Sequence, residues 1–133
     1  MKNFTSMNNH GVFKTFIFLL LCSGCGHTDE PATDSIKALG GIIISDDTGN
    51  VIRVYFSGST ISDVGLVHLK ELTNLTTLEL SGTKISDAGL VHLKGLTRLT
   101  LLWLFETKVT KEGVMKLKAA IPDCWINHES VFT

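Results

Sequence analysis

Residues 57–72 read SGSTISDVGLVHLKEL and residues 81–96 read SGTKISDAGLVHLKGL, so 12 of 16 positions coincide at an offset of 24. A third unit starting at Leu99 keeps the frame more loosely, with Thr107, Val109, Gly113, Val114 and Leu117 on the same phases. A unit of this length cannot bury its own apolar residues, so neighbouring copies must stack and share one core. That requirement excludes most folds open to a chain of 133 residues.

Two periodicities divide each unit. Leu75, Leu78 and Leu80 alternate with polar residues as a half-buried strand does, and Val51, Val54 and Phe56 precede them on the same phase. Leu99, Leu102 and Leu104 follow one repeat later. The second half of each unit shifts to steps of three: Leu66, Leu69 and Leu72, then Leu90, Leu93 and Leu96. This spacing predicts a short helix with one apolar side. Ser62, Ser86 and Thr110 are expected to cap these helices, with Asp63 and Asp87 favoured in the first turn by the positive helix end. Gly65, Gly89 and Gly113 recur where close approach to a neighbour is expected, and Ser59, Thr83 and Thr107 form a hydroxyl column after the strands.

The ends need separate elements. Asp34 to Leu39 predicts a short helix broken by Gly40 and Gly41, and Ile42–Ile44 with Val51–Phe56 predicts two strands. The polar stretch between them, Ser45 to Asn50, reads as a hairpin-like turn. At the other end Pro122 closes the third helix, and Ile126 falls on the phase of Leu78 as a last partial strand. The fold class expected is therefore α/β, a solenoid of about three 24-residue strand–helix units behind an N-terminal hairpin-like cap.

The string at 83–99, T-x-I-S-D-x-G-L-x-x-L-K-x-L-T-x-L, recurs at 59–75 with Ser59 in first place. It resembles the ribonuclease-inhibitor-like class of leucine-rich repeats, in the short versions common in exported bacterial proteins. The resemblance covers about residues 36–129. It implies a non-enzymatic binding scaffold and brings no catalytic residues. Members usually carry Asn or Cys in the column held here by Ser59, Thr83 and Thr107, so the ladder chemistry differs.

The N-terminal residues read as an address rather than as part of the fold. Lys2 and Lys14 precede the apolar run Phe16–Leu21, followed by Cys22, Ser23, Gly24 and Cys25. A basic start, a short apolar core and small residues at a cut are the layout of an export signal. A bilayer-crossing helix needs about 20 apolar residues, more than this core supplies. The end of the segment resembles the lipobox of bacterial lipoproteins, with Cys22 where Leu is usual. The resemblance implies a signal peptide at 1–24, Cys25 as the lipidated residue, a polar tether over 25–33 and a repeat domain over 34–133. It also implies a cell-envelope location, anchored by lipid or otherwise exported. A short anchor or a misassigned start is the plainer alternative.

Function is expected on the outward strand residues. One column is Arg53, Thr77, Leu101 and Trp125; the next is Tyr55, Glu79, Trp103 and Asn127; a third is Ser57, Ser81, Phe105 and Glu129. The face is expected to be polar toward Arg53 and Glu79 and aromatic toward Leu101, Trp103, Phe105 and Trp125, with both tryptophans outside. Candidate binding residues are thus Arg53, Tyr55, Glu79, Leu101, Trp103, Phe105 and Trp125. Trp and Tyr are favoured contact anchors, and exposed apolar patches mark contact sites. A separate protein partner, self-association or cover by residues 130–133, and a glycan stacked on the aromatics all remain open as occupants.

Other chemistries are weakly supported. A net charge of −1 and only two arginines, Arg53 and Arg98, argue against a nucleic-acid partner. His68 and His92 share a phase on the helical side, but two imidazoles without a nearby carboxylate or thiol are a poor metal site. Cys124 is the one nucleophile candidate. Its neighbours Asp123 and Trp125 supply no positioned base, and a buried cap cysteine is the simpler expectation. The reading is of a non-enzyme without cofactor or metal.

Overall fold

Parallel strands in this chain pair one repeat apart. A computed structural model describes residues 30–128. In order along the chain these form α1 (Glu30–Ala38), β1 (Ile42–Ser45), β2 (Val51–Tyr55), a 3₁₀ helix (Gly65–Leu69), β3 (Thr77–Glu79) and a second 3₁₀ helix (Gly89–Leu93). β4 (Leu101–Trp103), α2 (Lys111–Ala120) and β5 (Trp125–Asn127) follow. The five strands lie in the order β1-β2-β3-β4-β5, antiparallel between β1 and β2 and parallel thereafter. Val54 pairs with Leu78, Leu78 with Leu102 and Leu102 with Ile126. The result is an α/β arrangement of alternating strands and short helices. The expected signal at 1–24, Cys25 and the C-terminal residues from Glu129 lie outside the described residues.

Alternation along the strands sends one set of side chains inward. Val51, Val54 and Phe56, then Leu75, Leu78 and Leu80, then Leu99, Leu102 and Leu104 are buried in one core with the helical leucines 66, 69, 72, 90, 93 and 96. Fully burying one such side chain stabilises by about 1.5–3 kcal/mol relative to leaving it exposed. The hydroxyl column serves the strand-to-helix turns. Thr83 Oγ1 donates to the Leu80 carbonyl at 2.5 Å and Thr107 Oγ1 to that of Leu104 at 2.7 Å, while Ser59 Oγ accepts from the Ile61 amide at 3.4 Å.

The helical halves are short, as the spacing predicts, and they differ in kind. The first two are single 3₁₀ segments of five residues, and only the third unit builds an α-helix. Leucines in steps of three superpose on a helix with three residues per turn, which explains the first two. Gly113, Leu117 and Ile121, all buried, step by four and suit the α-helix. Ser62 and Ser86 are not side-chain caps of these 3₁₀ segments, whose flanking residues are Val64 and Ala88. Thr110 does cap α2, its hydroxyl accepting from the Gly113 amide at 3.2 Å.

Asp63 and Asp87 also do something other than face a helix end. Each carboxylate reaches the following unit. Asp63 accepts from the Ser86 amide at 2.7 Å and the Ser86 hydroxyl at 2.6 Å; Asp87 accepts from the Thr110 amide at 2.7 Å and hydroxyl at 2.5 Å. These bonds hold the Asp87 carboxyl below its ordinary range, led by the Thr110 hydroxyl. The recurring glycines make room for them. A Cβ on Gly89 would lie 2.5 Å from Asp63 Oδ1, and one on Gly113 only 2.1 Å from Asp87 Oδ1. The aspartate, the hydroxyl and the glycine are thus one inter-unit clasp, made twice. Gly65, with no earlier clasp, would instead meet Ile61.

At the N-terminal end, α1 begins at Glu30 rather than Asp34, so residues 30–33, read as tether from their polarity, form its first turn. Pro31 is compatible there because the first amides of a helix have no intrahelical acceptor. Ile36 anchors α1 in the core. The hairpin turn is organised by Asp46, whose carboxylate accepts from the amides of Thr48 and Asn50 at 2.9 Å each, from the Thr48 hydroxyl at 2.7 Å and from Asn50 Nδ2 at 3.2 Å. The side-chain bonds from Thr48 and then Asn50 pull its pKa down to about 2.

Candidate functional site

The outer face of the sheet carries the strand candidates Arg53, Tyr55, Glu79, Leu101, Trp103 and Trp125 in aligned rows. Strand pairing puts Ile44, Arg53, Thr77, Leu101 and Trp125 in one row, and Ile42, Tyr55, Glu79, Trp103 and Asn127 in the next. Arg53 is exposed; Tyr55, Glu79, Leu101, Trp103 and Phe105 are half-buried by their neighbours in the rows. Trp125 is 54 % exposed at the last strand. The rings of Trp103 and Trp125 meet edge to face, with centroids 5.5 Å apart and planes at 74°. Such a contact adds about 0.5–1.5 kcal/mol beyond area burial and holds both rings in place.

One expectation about this face is corrected. The N-terminal end is not polar, because Ile42 and Ile44 stand on it beside Tyr55, 67 % and 42 % exposed. The hairpin turns Ile43 inward against the core and leaves its two neighbours out. The face is therefore apolar at both ends and polar in the middle, at Arg53, Thr77 and Glu79.

Toward the aromatic end the face hollows into an open groove of about 500 Å³. Glu79, Ser81, Trp103, Phe105, Glu106 and Asn127 supply its side chains, and Gly58 and Gly82 lie at its edge. Gly58, Gly82 and Glu106 occupy equivalent places in successive turns. The two glycines have φ of 67° and 69°, and Glu106 has φ of 53°. The third turn thus holds a non-glycine residue in the left-handed region, an uncommon arrangement for a glutamate. Glu106 was not among the residues expected to matter. The signal was available in the column, where glycine gives way to an acid at one position.

The remaining candidates are not brought together. His68 and His92 are half-buried on the helical side, in the two 3₁₀ segments. Among the described residues no group of three or more His, Cys, Asp or Glu side chains is placed to hold a metal ion. Cys124 is buried, and burial pushes its thiol up to about 11, so it is protonated and enclosed at neutral pH. His128 is engaged elsewhere, its Nε2 lying 2.7 Å from the Val109 carbonyl oxygen. No helix among the described residues is long and apolar enough to cross a membrane.

Stacked strand–helix units with an open strand face define a repeat scaffold. Residues 71–94 match the family model described as Leucine Rich repeat. The matched stretch holds β3 and the second 3₁₀ helix, together with the Asp87 half of one clasp. No curated protein matches the chain.

Proposed function

We propose that this chain is a non-enzymatic recognition module that binds another protein across its outer strand face. The observation that carries the reading is the edge-to-face pair of Trp103 and Trp125, rigid, partly exposed and beside an open groove. Rigid aromatics lose little conformational freedom on binding and supply large contact area, which is why they dominate the energetics of protein contacts. Arg53, Tyr55, Glu79, Leu101 and Phe105 complete the contact surface. The resemblance of the repeat to the ribonuclease-inhibitor-like class, with about three units of 24 residues behind a hairpin cap, supports the same reading.

A second reading is favoured by Ile42 and Ile44, which stand exposed on the edge strand β1. In it the chain is a structural or self-associating envelope protein with no distinct partner. Affinity capture from the source cells, followed by the same capture with Trp103→Ala/Trp125→Ala, separates the two. A distinct protein recovered by the native chain and lost by the variant supports recognition. A concentration-dependent dimer abolished by Ile42→Asp/Ile44→Asp or by the tryptophan substitutions, with nothing else recovered, overturns it.

The export proposal rests on the sequence of residues 1–25: a basic start, an apolar core and Cys25 behind Ser23 and Gly24. Cleavage before Cys25 and lipid on its sulfur hold the module at a membrane of the cell envelope. Mass spectrometry of the mature N-terminus tests this directly. An intact Lys2 without lipid contradicts it.

A further inference from the structure

We infer that the groove beside Trp103 receives an arginine or lysine side chain from a partner protein. The inference rests on the proposed recognition role and names the chemistry of what is recognised. Two carboxylates, Glu79 and Glu106, line the groove together with the rings of Trp103 and Phe105, while no Lys, Arg or His lines it. Among the described residues no hydrogen bond or ion pair engages either carboxylate side chain. A cation entering here meets aromatic rings and unpaired negative charge together, the combination that attracts a guanidinium or ammonium. Arginine suits it best, because a planar guanidinium stacks on a ring and bonds a carboxylate at the same time.

The placement of Glu106 sharpens the argument. The equivalent turn positions are Gly58 and Gly82, for which a positive φ costs nothing. A glutamate there gives up backbone comfort and puts a carboxylate on the groove edge, at the repeat that also carries the aromatics. The five residues that follow His128 contain Glu129 and no base, so charge complementarity does not nominate them as the occupant.

The test uses a displayed random-peptide library panned on the full chain, with selected peptides titrated by isothermal titration calorimetry. Selected peptides should be rich in arginine or lysine next to an apolar residue. Glu79→Gln and Glu106→Gln should each weaken binding about three- to tenfold, and added salt should weaken it further. Glu106→Gly should weaken binding equally while holding or raising the melting temperature, which separates a lost contact from a damaged fold. Neutral or acidic peptides whose binding is lost in Trp103→Ala/Trp125→Ala overturn the cationic inference and leave the recognition face standing. Peptides whose binding ignores both tryptophans overturn the two together. A dimer of the chain that breaks on Arg53→Ala or Glu106→Gln makes a second copy the occupant, and a sugar that displaces the peptides without regard to either carboxylate makes it a glycan; both outcomes sink the inference.

Discussion

The clasp between Asp87, Thr110 and Gly113 predicts that one substitution changes sign with its background. Asp87→Ala removes two hydrogen bonds to a charged acceptor, at 2.7 Å and 2.5 Å. Bonds of that kind contribute about 1.5–3 kcal/mol each when shielded, and less where solvent competes. Asp87 is half-exposed, so a total loss of about 1–3 kcal/mol is expected. Gly113→Ala places a methyl 2.1 Å from the same carboxylate oxygen and 2.4 Å from its carbon, which forces the carboxylate off Thr110. Against that stands the preference of a helix interior for Ala over Gly, about 0.8–1 kcal/mol. Gly113→Ala alone therefore destabilises by about 0.5–2 kcal/mol. In the Asp87→Ala background the obstruction is gone, and the same substitution should stabilise by about 0.5–1 kcal/mol. Thermal and urea unfolding of the four proteins measures the cycle, and each 1 kcal/mol moves the melting temperature by about 4–8 °C in a domain of this size. If Gly113→Ala has the same sign in both backgrounds, the glycine is not there for the carboxylate and the clasp is wrong.

Other consequences of the packing are open to simpler measurements. Thr83→Val keeps shape and removes the donor to the Leu80 carbonyl, so unfolding experiments should show a loss of about 1 kcal/mol; no loss means the carbonyl is otherwise satisfied. The Asp46 and Asp87 carboxyls titrate below their ordinary range in the folded chain, so their stabilisation is complete above about pH 4. It is lost as pH falls through the folded values, near 2 for Asp46, and Asp46→Asn/Asp87→Asn should flatten the acid limb of the stability curve. An unchanged limb in that variant contradicts the assignment. Native Cys124 should resist a thiol reagent at neutral pH and react once denaturant exposes it, because it is buried and its pKa stands near 11; rapid labelling of the folded chain at Cys124, located by peptide mapping, refutes that placement.

The stack was legible because identical strings at a constant offset allow only one register. Val54, Leu78, Leu102 and Ile126 fall in line as that offset requires. Strand alternation alone puts Arg53, Tyr55, Glu79, Leu101, Trp103 and Trp125 on one face. The helix type was also written in the spacing, since steps of three at Leu66, Leu69 and Leu72 describe a 3₁₀ turn better than an α-helix. Asp63 and Asp87 were harder. A carboxylate ahead of a helical segment has a familiar local role, whereas the bonds it makes here go to residues 23 positions away. Only the joint recurrence of aspartate, hydroxyl and glycine across two units points to that contact. Ile42 and Ile44 were missed because a run of three isoleucines carries no alternation of its own. The hairpin register decides which of them faces out. Glu106 shows the opposite limit, since a turn position held by glycine in two units marks the third by exception alone.

The central claim is that one side of this stack recognises another protein and the opposite side does not. Photo-crosslinking residues placed in turn at Leu101, on the strand face, and at Val91, 53 % exposed on the helical side, test it most directly. In the source cells the Leu101 probe should yield a heterologous protein adduct that disappears with Trp103→Ala/Trp125→Ala, while the Val91 probe should not. Equal adducts from both sides, or adducts only between copies of the chain, contradict the account.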